Sequence, residues 1–396
     1  MTQKLKPYIR LVDIRNTKDE RHELLGVSVD KCFIKSIANT VGTDWKSYKI
    51  IRKGQFCYIP DTSRRGDKMG IALLTDYDIA LVSQAYAVFE IIDDTKLLPE
   101  YLNLWFKRPE FDRYARFHSH GSVREIFDWE EMGNIELPIP AIEEQKKIVD
   151  SYNIIQNRIK LLRGINDNLA ESIKTIFKSW FLDFDALPNV EFVQSQYGDI
   201  PSGWHYELLG DVCECVTKGT TPTTLGKDFT ETGINFIKGE SINDDHSFNK
   251  ALFAHIDSET DKLLKRSRIL ENDILFTIAG TLGKFALVDK SVVPANTNQA
   301  VAIIRTSKIS PEMLYSYFIG EWQVEFYKRN TQQAVQANLS LGTIKDLPLL
   351  IPDNNGVTRY TQTINPFISA IQANFAEIEK MLDVQKQLLA RLSLSH

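Results

Sequence analysis

The fold is decided by a stretch that the chain contains twice, first as REIFDWEEMGNIELPIP (Arg124–Pro140) and again as QANLSLGTIKDLPLLIP (Gln336–Pro352). The two copies align at a constant offset of 212 residues, about half of the 396-residue chain. At the same offset, LPEYLNLWF (Leu98–Phe106) matches SPEMLYSYF (Ser310–Phe318), so the order of the segments is the same in both halves. A repeat of this kind predicts two copies of one structural unit.

A long helix is predicted after each copy, because apolar residues recur there with the seven-residue period of a coiled coil. We expect these helices over residues 143–182 and 357–394, packed antiparallel. Each seam contains one polar residue, Asn166 in the first helix and Gln385 in the second. A lone polar seam residue typically fixes the register of a coiled coil. The alternative is a frayed helix or a solvated kink near Gly164.

Between the helices the sequence changes to short β-branched and aromatic runs, such as YKIIRKGQFCYI and DILFTIAG, bounded by Gly, Asp and Asn. The predicted fold class is therefore α/β (α+β), with two mixed domains separated and closed by two long antiparallel coiled-coil helices in a pseudo-twofold internal repeat. The predicted domains are residues 1–140 and 190–352. The predicted helical spacers are residues 141–189 and 353–396.

The composition is that of an ordinary globular protein, with 43% apolar and 25% charged residues. No apolar run approaches the roughly 18 to 20 residues that cross a bilayer, and the N-terminal sequence does not resemble a secretory signal, so we expect a cytoplasmic protein. The 4 cysteines include no Cys-x-x-Cys pair and are expected to be free thiols. The net charge of −5 argues against binding of nucleic acid by bulk electrostatics, although it allows a local basic cleft.

Two globules held apart by paired helices can present two binding surfaces at a fixed separation. Double-stranded DNA is a target of that form, because recognition elements in successive major grooves lie roughly 34 Å apart. A coiled-coil scaffold or assembly protein without DNA readout would use the same geometry, and this alternative stays open on the layout alone.

Local basic clusters favour DNA, because Lys and Arg neutralise phosphates and Arg can donate two hydrogen bonds to guanine. Each cluster taken alone is more typical of a solvated face. The aromatic residues that alternate with the arginines of the first domain, Phe106, Phe111, Tyr114 and Phe117, are expected to pack inward as a buried stripe. The candidate DNA-binding residues are Arg64, Arg65, Lys68, Arg108, Arg113, Arg116 and Arg124 in the first domain, and Lys218, Lys262, Lys265, Arg266, Arg268, Lys284, Lys328 and Arg329 in the second.

No catalytic or metal-binding residue is predicted. The chain lacks the Pro-Pro loop of amino-methyltransferases and a Gly-x-Gly strand exit for a methyl donor or dinucleotide. Asp244, Asp245 and His246 are the nearest approach to a metal cluster, and a polar loop explains them better. The segment Gly280–Lys284 lacks the spacing of a phosphate-binding loop and is interpreted as a hairpin turn.

Several motifs resemble the specificity subunit of bacterial type I restriction-modification systems, over nearly the full length of the chain. IPSGWHYELLGDVCECVTKGTTPT (Ile200–Thr223) is similar to the opening of a target-recognition domain in that family. LPIPAIEEQKKIVD with IKTIFKSWFLDFD resembles its central helical region, and NDILFTIAGTLGKFALVD resembles its mid-domain hairpin. The first domain lacks the Pro-x-Gly-Trp opening and is similar to a second domain variant of the same family.

The resemblance implies a non-catalytic subunit of a phage-defence system, in which each domain reads one half of a bipartite DNA site. The helices would set the spacer and dock two modification (methyltransferase) subunits, while separate restriction (translocase/nuclease) subunits cut. S-adenosylmethionine would belong to the methyltransferase partner, and ATP and Mg to the restriction partner. The candidate partner-binding residues are Phe177, Trp180 and Phe181, with the alternative that these three cap the local core.

Overall fold

The computed structural model describes residues 2–36, 44–63, 68–121, 124–325 and 339–392. The chain forms two compact units. Unit 1 comprises Met1–Lys160 and Glu379–His396, and unit 2 comprises Leu161–Ile378. Each long helix contributes residues to both units. The predicted division into two domains and two helical spacers stays a prediction. The two compact units do not test it, because each unit contains parts of both long helices.

Unit 1 is built on two four-stranded sheets. The order β2-β9-β6-β7 is antiparallel throughout, and the order β4-β3-β8-β5 contains one parallel pair, β3 with β8. A separate antiparallel ribbon joins β1 to β10. The strands described in this unit are β1 (Thr2–Lys4), β2 (Ile9–Val12), β3 (Leu24–Val27), β4 (Phe33–Lys35), β5 (Lys49–Arg52), β6 (Phe56–Tyr58), β7 (Ile71–Leu73), β8 (Ile79–Val82), β9 (Ala87–Ile91) and β10 (Glu136–Pro138).

The helices of unit 1 are α1 (Pro99–Phe106), α2 (Pro109–Phe117), α3 (Trp129–Asn134) and the first half of α4 (Ile142–Phe181). The sequence LLPEYLNLWFKRPEFDRYARF, with a proline near its start, predicts one helix over the residues of α1 and α2. Instead the chain breaks at Arg108, whose ψ of 139° is extended, because the ring of Pro109 disfavours a helical conformation in the residue before it. The aromatic core packs Phe56 on Phe89 and against Phe106.

Unit 2 repeats this sheet plan. Its four-stranded sheet β14-β20-β17-β18 is antiparallel, and its three-stranded sheet β16-β15-β19 contains the parallel pair β15 with β19. Two ribbons join β13 to β21 and β11 to β12. The strands described in this unit are β11 (Phe192–Ser195), β12 (Gly198–Pro201), β13 (His205–Leu208), β14 (Cys213–Lys218), β15 (Ile234–Ile237), β16 (Ala254–Ile256), β17 (Ile274–Thr277), β18 (Phe285–Leu287), β19 (Ala295–Thr297), β20 (Val301–Thr306) and β21 (Pro348–Ile351).

The core of unit 2 lies where its four-stranded sheet meets the helices. Phe177 and Phe181 stack at 4.8 Å between ring centroids and contact Tyr317, and Phe181 also contacts Tyr360. The helices described in this unit are α5 (Leu209–Val212), α6 (Ser258–Leu263), α7 (Pro311–Ile319), α8 (Leu341–Lys345), the second half of α4 and residues of α9 (Asn354–Arg391) up to Ile378.

The offset of 212 residues recurs in the structure. Helix α1 begins at Pro99 and α7 at Pro311, while α4 begins at Ile142 and α9 at Asn354. Helices α3 and α8, which precede β10 and β21, are capped alike at their N-termini. The Asp128 carboxylate accepts a hydrogen bond from the Glu131 amide, and the Ser340 hydroxyl accepts one from the Thr343 amide. The predicted mixed α/β fold with an internal repeat and two long helices is therefore confirmed.

Both predicted polar seam residues pair with an amide of the other helix. In unit 1 Gln385 Nε2 donates to Gln156 Oε1 at 2.8 Å, and in unit 2 Asn374 Nδ2 donates to Asn166 Oδ1 at 2.7 Å. Also in unit 2, Trp180, which comes after Asn166 in the first helix, contacts Tyr360, which comes before Asn374 in the second. The two helices are therefore antiparallel there, as predicted. Leu382 continues the seven-residue apolar period of the second long helix but is exposed. Neither long helix, nor any other helix among the described residues, is apolar enough over a sufficient length to cross a membrane.

Candidate nucleic-acid interface

Four candidate DNA-binding residues of unit 1 lie on helix α2 or in segments that contact it. Arg113 and Arg116 project from the helix, with side chains 70% and 43% exposed. Arg124 follows in the next segment and is exposed, and the exposed Lys68 precedes Met69, whose amide donates to Asp112 of α2. These four cations form what we call the α2 cluster.

A buried ion pair and a backbone hydrogen bond link α2 to Lys31 and Met69. Asp112 Oδ1 accepts from the backbone amide of Met69 at 2.9 Å and from Lys31 Nζ at 2.5 Å. Burial lowers the pKa of Lys31, and the hydrogen bond with Asp112 opposes that shift. Thr62 Oγ1 donates to Ser119 Oγ, just after the end of α2, at 2.9 Å. Thr62 and Met69 are thus both hydrogen-bonded to α2 or to the residues that follow it.

Two arginines of the α2 cluster form exposed ion pairs. Arg113 lies 3.2 Å from Glu110, and Arg116 lies 3.4 Å from Glu125. Exposed pairs of this kind contribute about 0 to 1 kcal/mol, so little free energy is lost when a phosphate replaces the carboxylate. The cluster can therefore exchange its carboxylates for a nucleic-acid backbone.

Arg108 departs from the sequence expectation because it is 3% exposed. Its guanidinium stacks on the Trp105 ring at 4.1 Å, and Nη2 lies 3.4 Å from Glu110. Burial lowers the pKa of Arg108. The residue sits at the break between α1 and α2, where it supports the helix pair and does not present its charge to solvent with the α2 cluster.

The expected inward stripe of aromatic residues is correct for Phe106 and Phe111, which are buried, and for Tyr114, which packs partly against the core. It is wrong for Phe117, whose side chain is 82% exposed at the end of α2. Helical spacing could have shown this, because Phe117 lies six residues after Phe111 and so points to a different face of the helix.

The basic residues of unit 2 gather around α6 and the turn that follows it. Lys262, Lys265 and Arg266 are exposed, and Arg268 pairs with Asp261 at 2.5 Å. Lys218, at the end of β14, is exposed as well. We call these five residues the α6 cluster.

The loop Gly219–Thr221 packs beside the α6 cluster, because Arg266 Nη2 donates to Thr220 Oγ1 at 3.4 Å. The approach of this loop to the sheet requires glycine at 219, since a Cβ there would lie 1.7 Å from the Thr297 carbonyl oxygen. Thr221 Oγ1 donates to Gln299 Oε1 at 2.5 Å and fixes the other end of the loop. Two segments that are far apart in sequence thus form one basic surface.

Lys284 belongs to a different surface of unit 2. Its ammonium lies 2.8 Å from Asp244, and the predicted hairpin turn at Gly280–Lys284 is confirmed by the pairing of β17 with β18 and by positive φ at Gly280 and Gly283. The neighbouring His246 ring stacks on Phe285 at 4.0 Å, and burial lowers the pKa of His246. Within the described ranges, no group of three or more His, Cys, Asp or Glu side chains is arranged to hold a metal ion.

Phe177, Trp180 and Phe181, the candidate partner-binding residues, are buried in unit 2. Trp180 stacks near Trp204 and contacts Tyr360. This burial agrees with the alternative in which the three residues cap the local core. A direct role in docking stays a prediction.

Arg64, Arg65, Lys328 and Arg329 lie outside the described residues. Of the remaining candidates, the structure brings Lys68, Arg113, Arg116 and Arg124 to one surface of unit 1. It brings Lys218, Lys262, Lys265, Arg266 and Arg268 to one surface of unit 2. Arg108 and Lys284 stand apart from these two clusters.

A family model for the type I restriction modification DNA specificity domain matches the chain at residues 6–171 and again at residues 201–383. The chain is 23% identical over 304 residues to the type I restriction enzyme MjaIX specificity subunit of Methanocaldococcus jannaschii, covering 76% of this chain and 70% of that protein. It is 22% identical over 424 aligned positions to the HindI specificity subunit of Haemophilus influenzae, covering 90% of this chain and 89% of that protein.

A similar fold occurs in the crystal structure of a type I restriction-modification system S subunit from M. genitalium. The TM-score is 0.52 at 13% identity, over 99% of this chain and 96% of that chain. At this identity the likeness concerns the fold alone.

Proposed function

The chain belongs to the type I restriction-modification DNA specificity family, whose members recognise DNA sequence and are not catalytic, and from this premise we propose that each unit reads one half of a bipartite double-stranded site. One observation carries the proposal: each unit has the same sheet plan and its own exposed basic cluster. Phosphate contacts from each cluster would position its unit on the duplex, and base contacts would specify the sequence.

We further propose that two methyltransferase subunits dock on the outer faces of α4 and α9, and that restriction subunits join the complex. Helix α4 exposes apolar residues on these faces, Ile154 in unit 1 and Leu161 with Ile165 in unit 2. Exposed apolar side chains of this kind are typical of interaction surfaces when they cluster. S-adenosylmethionine would be bound by the methyltransferase partner, and ATP and Mg by the restriction partner. The complex would act in the cytoplasm, where it reaches its DNA.

The first experiment is to sequence modified adenines in the DNA of cells that express this chain with the methyltransferase encoded beside it, and in matched cells without this chain. We expect methylation of a split motif only when the chain is present. Absence of such a motif, with the methyltransferase active and bound to the chain, would refute DNA readout and favour a scaffold.

Substitutions in the two clusters test which unit contacts DNA. Arg113→Ala with Arg116→Ala should weaken binding of the complex to its site and reduce the slope of log K against log salt by about two, because two phosphate contacts are lost. Lys265→Ala with Arg266→Ala should do the same from unit 2. Arg10→Ala is the matched control, since Arg10 is an exposed arginine of unit 1 that pairs with Glu90 outside the α2 cluster. Unchanged affinity and salt slope would remove a cluster from the interface.

Docking is tested by Leu161→Glu, which places a charge on the outer face of α4, and by Trp180→Ala, which removes a buried ring. Leu161→Glu should abolish copurification of the methyltransferase while the chain stays folded. Trp180→Ala should destabilise unit 2 before it affects docking. If Leu161→Glu leaves the complex intact, this face of α4 does not dock the partner.

A further inference from the structure

Phe117 is an exposed aromatic ring at the C-terminal end of α2, close in sequence to Arg113 and Arg116 of the α2 cluster. Its side chain is 82% exposed, and the next most exposed large apolar side chain of the described residues is Ile154 at 69%. Leaving a phenylalanine side chain in water instead of burying it costs about 1.5 to 3 kcal/mol. A ring this exposed on a helix whose other aromatic residues pack inward indicates a contact that the isolated chain does not make.

The position of the ring is well defined. Helix α2 is anchored by Phe111 and Ala115, which are buried in the core of unit 1. The residue after Phe117 is fixed too, because His118 Nδ1 lies 3.0 Å from Glu131 and the imidazole packs against Tyr114 at 4.2 Å. The Phe117 ring meets the His118 ring edge to face at 5.1 Å. The backbone at Phe117 is thus held from both sides.

Arginines lie close to Phe117 in sequence, two of them in exposed pairs with Glu110 and Glu125. Arg113 lies one helical turn before it, Arg116 is adjacent in sequence, and Arg124 is exposed in the next segment. A protein partner would need an apolar area far larger than one ring and the half-exposed Ile126, because stable interfaces bury roughly 800 Å² on each side. One apolar ring among arginines fits a nucleic acid, in which anionic phosphates flank apolar base surfaces.

We infer that Phe117 makes a direct apolar contact with a base of the half-site read by unit 1, and that it helps to set the sequence preference there. The inference rests on the proposed function. The arginines of the α2 cluster would bind phosphates on either side, and the fixed helix would bring the ring to the base edges. Two forms of contact share this chemistry, packing on a thymine methyl group and wedging between neighbouring base pairs.

The test uses the complete complex of this chain with its methyltransferase, on duplexes that carry the methylated motif. Phe117→Ala should weaken binding on the order of tenfold at every salt concentration, with an unchanged salt slope, because the lost contact is apolar and releases no counterion. Methylation by this variant should lose its preference at one position of one half-site. Ile92→Ala is the matched control, since Ile92 is a half-exposed apolar residue that follows β9.

Two modified duplexes distinguish the forms of contact. Replacing thymine by deoxyuridine in the affected half-site should reproduce the Phe117→Ala loss, and should add nothing to it, if the ring packs on the methyl group. If the ring wedges between bases, 2-aminopurine in that half-site should brighten with the wild-type complex and stay dim with the Phe117→Ala complex.

The inference is overturned if Phe117→Ala binds and methylates like the Ile92→Ala control, or if it weakens specific and non-specific DNA equally. Failure of the inference is distinguishable from failure of the proposed function. In the first case the wild-type complex still methylates a split motif, and in the second it methylates none. Because Phe117 is exposed, the melting temperature of the variant should equal that of the wild type, which excludes misfolding as the cause.

Discussion

Two ion pairs of unit 2 have the same length and very different burial, and we expect them to differ several-fold in their effect on stability. Arg305 binds the Asp273 carboxylate through two hydrogen bonds of 2.7 Å, and the Asp273 side chain is 0% exposed. Lys174 lies 2.7 Å from Glu321, and these side chains are 42% and 49% exposed. The comparison sets a buried pair with two hydrogen bonds against an exposed pair with one, at the same distance between nitrogen and oxygen.

The substitutions are Arg305→Met and Lys174→Met, which keep most of each aliphatic chain and remove its charge. Removing one partner of a buried pair costs about 3 to 5 kcal/mol, because the other charge is left without compensation. In the Arg305→Met variant Asp273 retains the hydrogen bond from the Leu270 amide at 2.7 Å, which favours the lower part of that range. The exposed pair should contribute about 0.2 to 1 kcal/mol.

Hydrogen exchange of the full chain measures both effects locally. For the amides of β17 and β20, the free energy of opening should fall by about 3 kcal/mol in Arg305→Met. In Lys174→Met it should stay within about 1 kcal/mol of the wild-type value. Peptides of β6 and β9 in unit 1 provide the internal control. Adding Asp273→Asn to Arg305→Met should recover part of the loss, because the uncompensated charge is then gone.

The effect of pH has a defined sign. Burial raises the pKa of Asp273, and the hydrogen bonds from Arg305 oppose that shift. In Arg305→Met this opposition is absent, so the folded state binds a proton more readily than the unfolded state and the variant loses stability as the pH rises. The deficit relative to wild type should therefore shrink as the pH falls from 7 towards about 5. A deficit that does not depend on pH, or one no larger than that of Lys174→Met, would refute the reasoning.

Three other predictions follow from the packing. Gly219→Ala should destabilise unit 2 by about 2 kcal/mol or more in urea unfolding, because its Cβ would lie 1.7 Å from the Thr297 carbonyl oxygen, whereas the control Gly164→Ala has no atom within 4 Å and should stabilise α4 by about 1 kcal/mol. Phe177→Ala should cost about 3 to 5 kcal/mol through the cavity it leaves, and a smaller loss in the same assay would contradict its buried position. Iodoacetamide should alkylate the exposed Cys32 in the native chain and spare Cys57, because burial raises the pKa of the Cys57 thiol, and mass spectrometry of the labelled peptides would reveal the reverse order if the burial is misassigned.

The repeat and the helices could be predicted from sequence because their signals are local and periodic. The two copies of the Pro-ended stretch contain β10 and β21, and a short capped helix precedes each of these strands. The seven-residue apolar repeats that follow form α4 and α9. A seven-residue apolar period can be recognised from the local sequence, without knowing the rest of the fold. The exposure of Leu382 was missed because the same period does not show where a seam ends.

The details of the basic surface could not be predicted, because they depend on contacts between distant residues. Asp112 of α2 pairs with Lys31, 81 residues earlier in the chain, and also accepts a hydrogen bond from the Met69 amide. Arg108 stacks on Trp105 at the helix break before Pro109. From residue type alone, Arg108 and the exposed Arg113 were equally good candidates for DNA contact. Sequence indicates which residues are basic, and only the fold indicates which of them face solvent.

The frame of the two units is duplicated, whereas the two basic clusters of the described residues lie on different elements. The Tyr101 hydroxyl donates to the Pro138 carbonyl in unit 1, and the Tyr317 hydroxyl donates to the equivalent Leu350 carbonyl in unit 2. The α2 cluster of unit 1 lies mostly on the segments that follow α1, whereas the α6 cluster of unit 2 lies mostly on α6 and the turn before β17.

Since one frame carries two different sets of exposed basic residues among the described ranges, the elements proposed to contact DNA can vary without disturbing the core that supports them. For this chain the consequence is that the two half-sites are expected to differ in sequence. A palindromic split motif would mean that contacts outside both clusters dominate the readout.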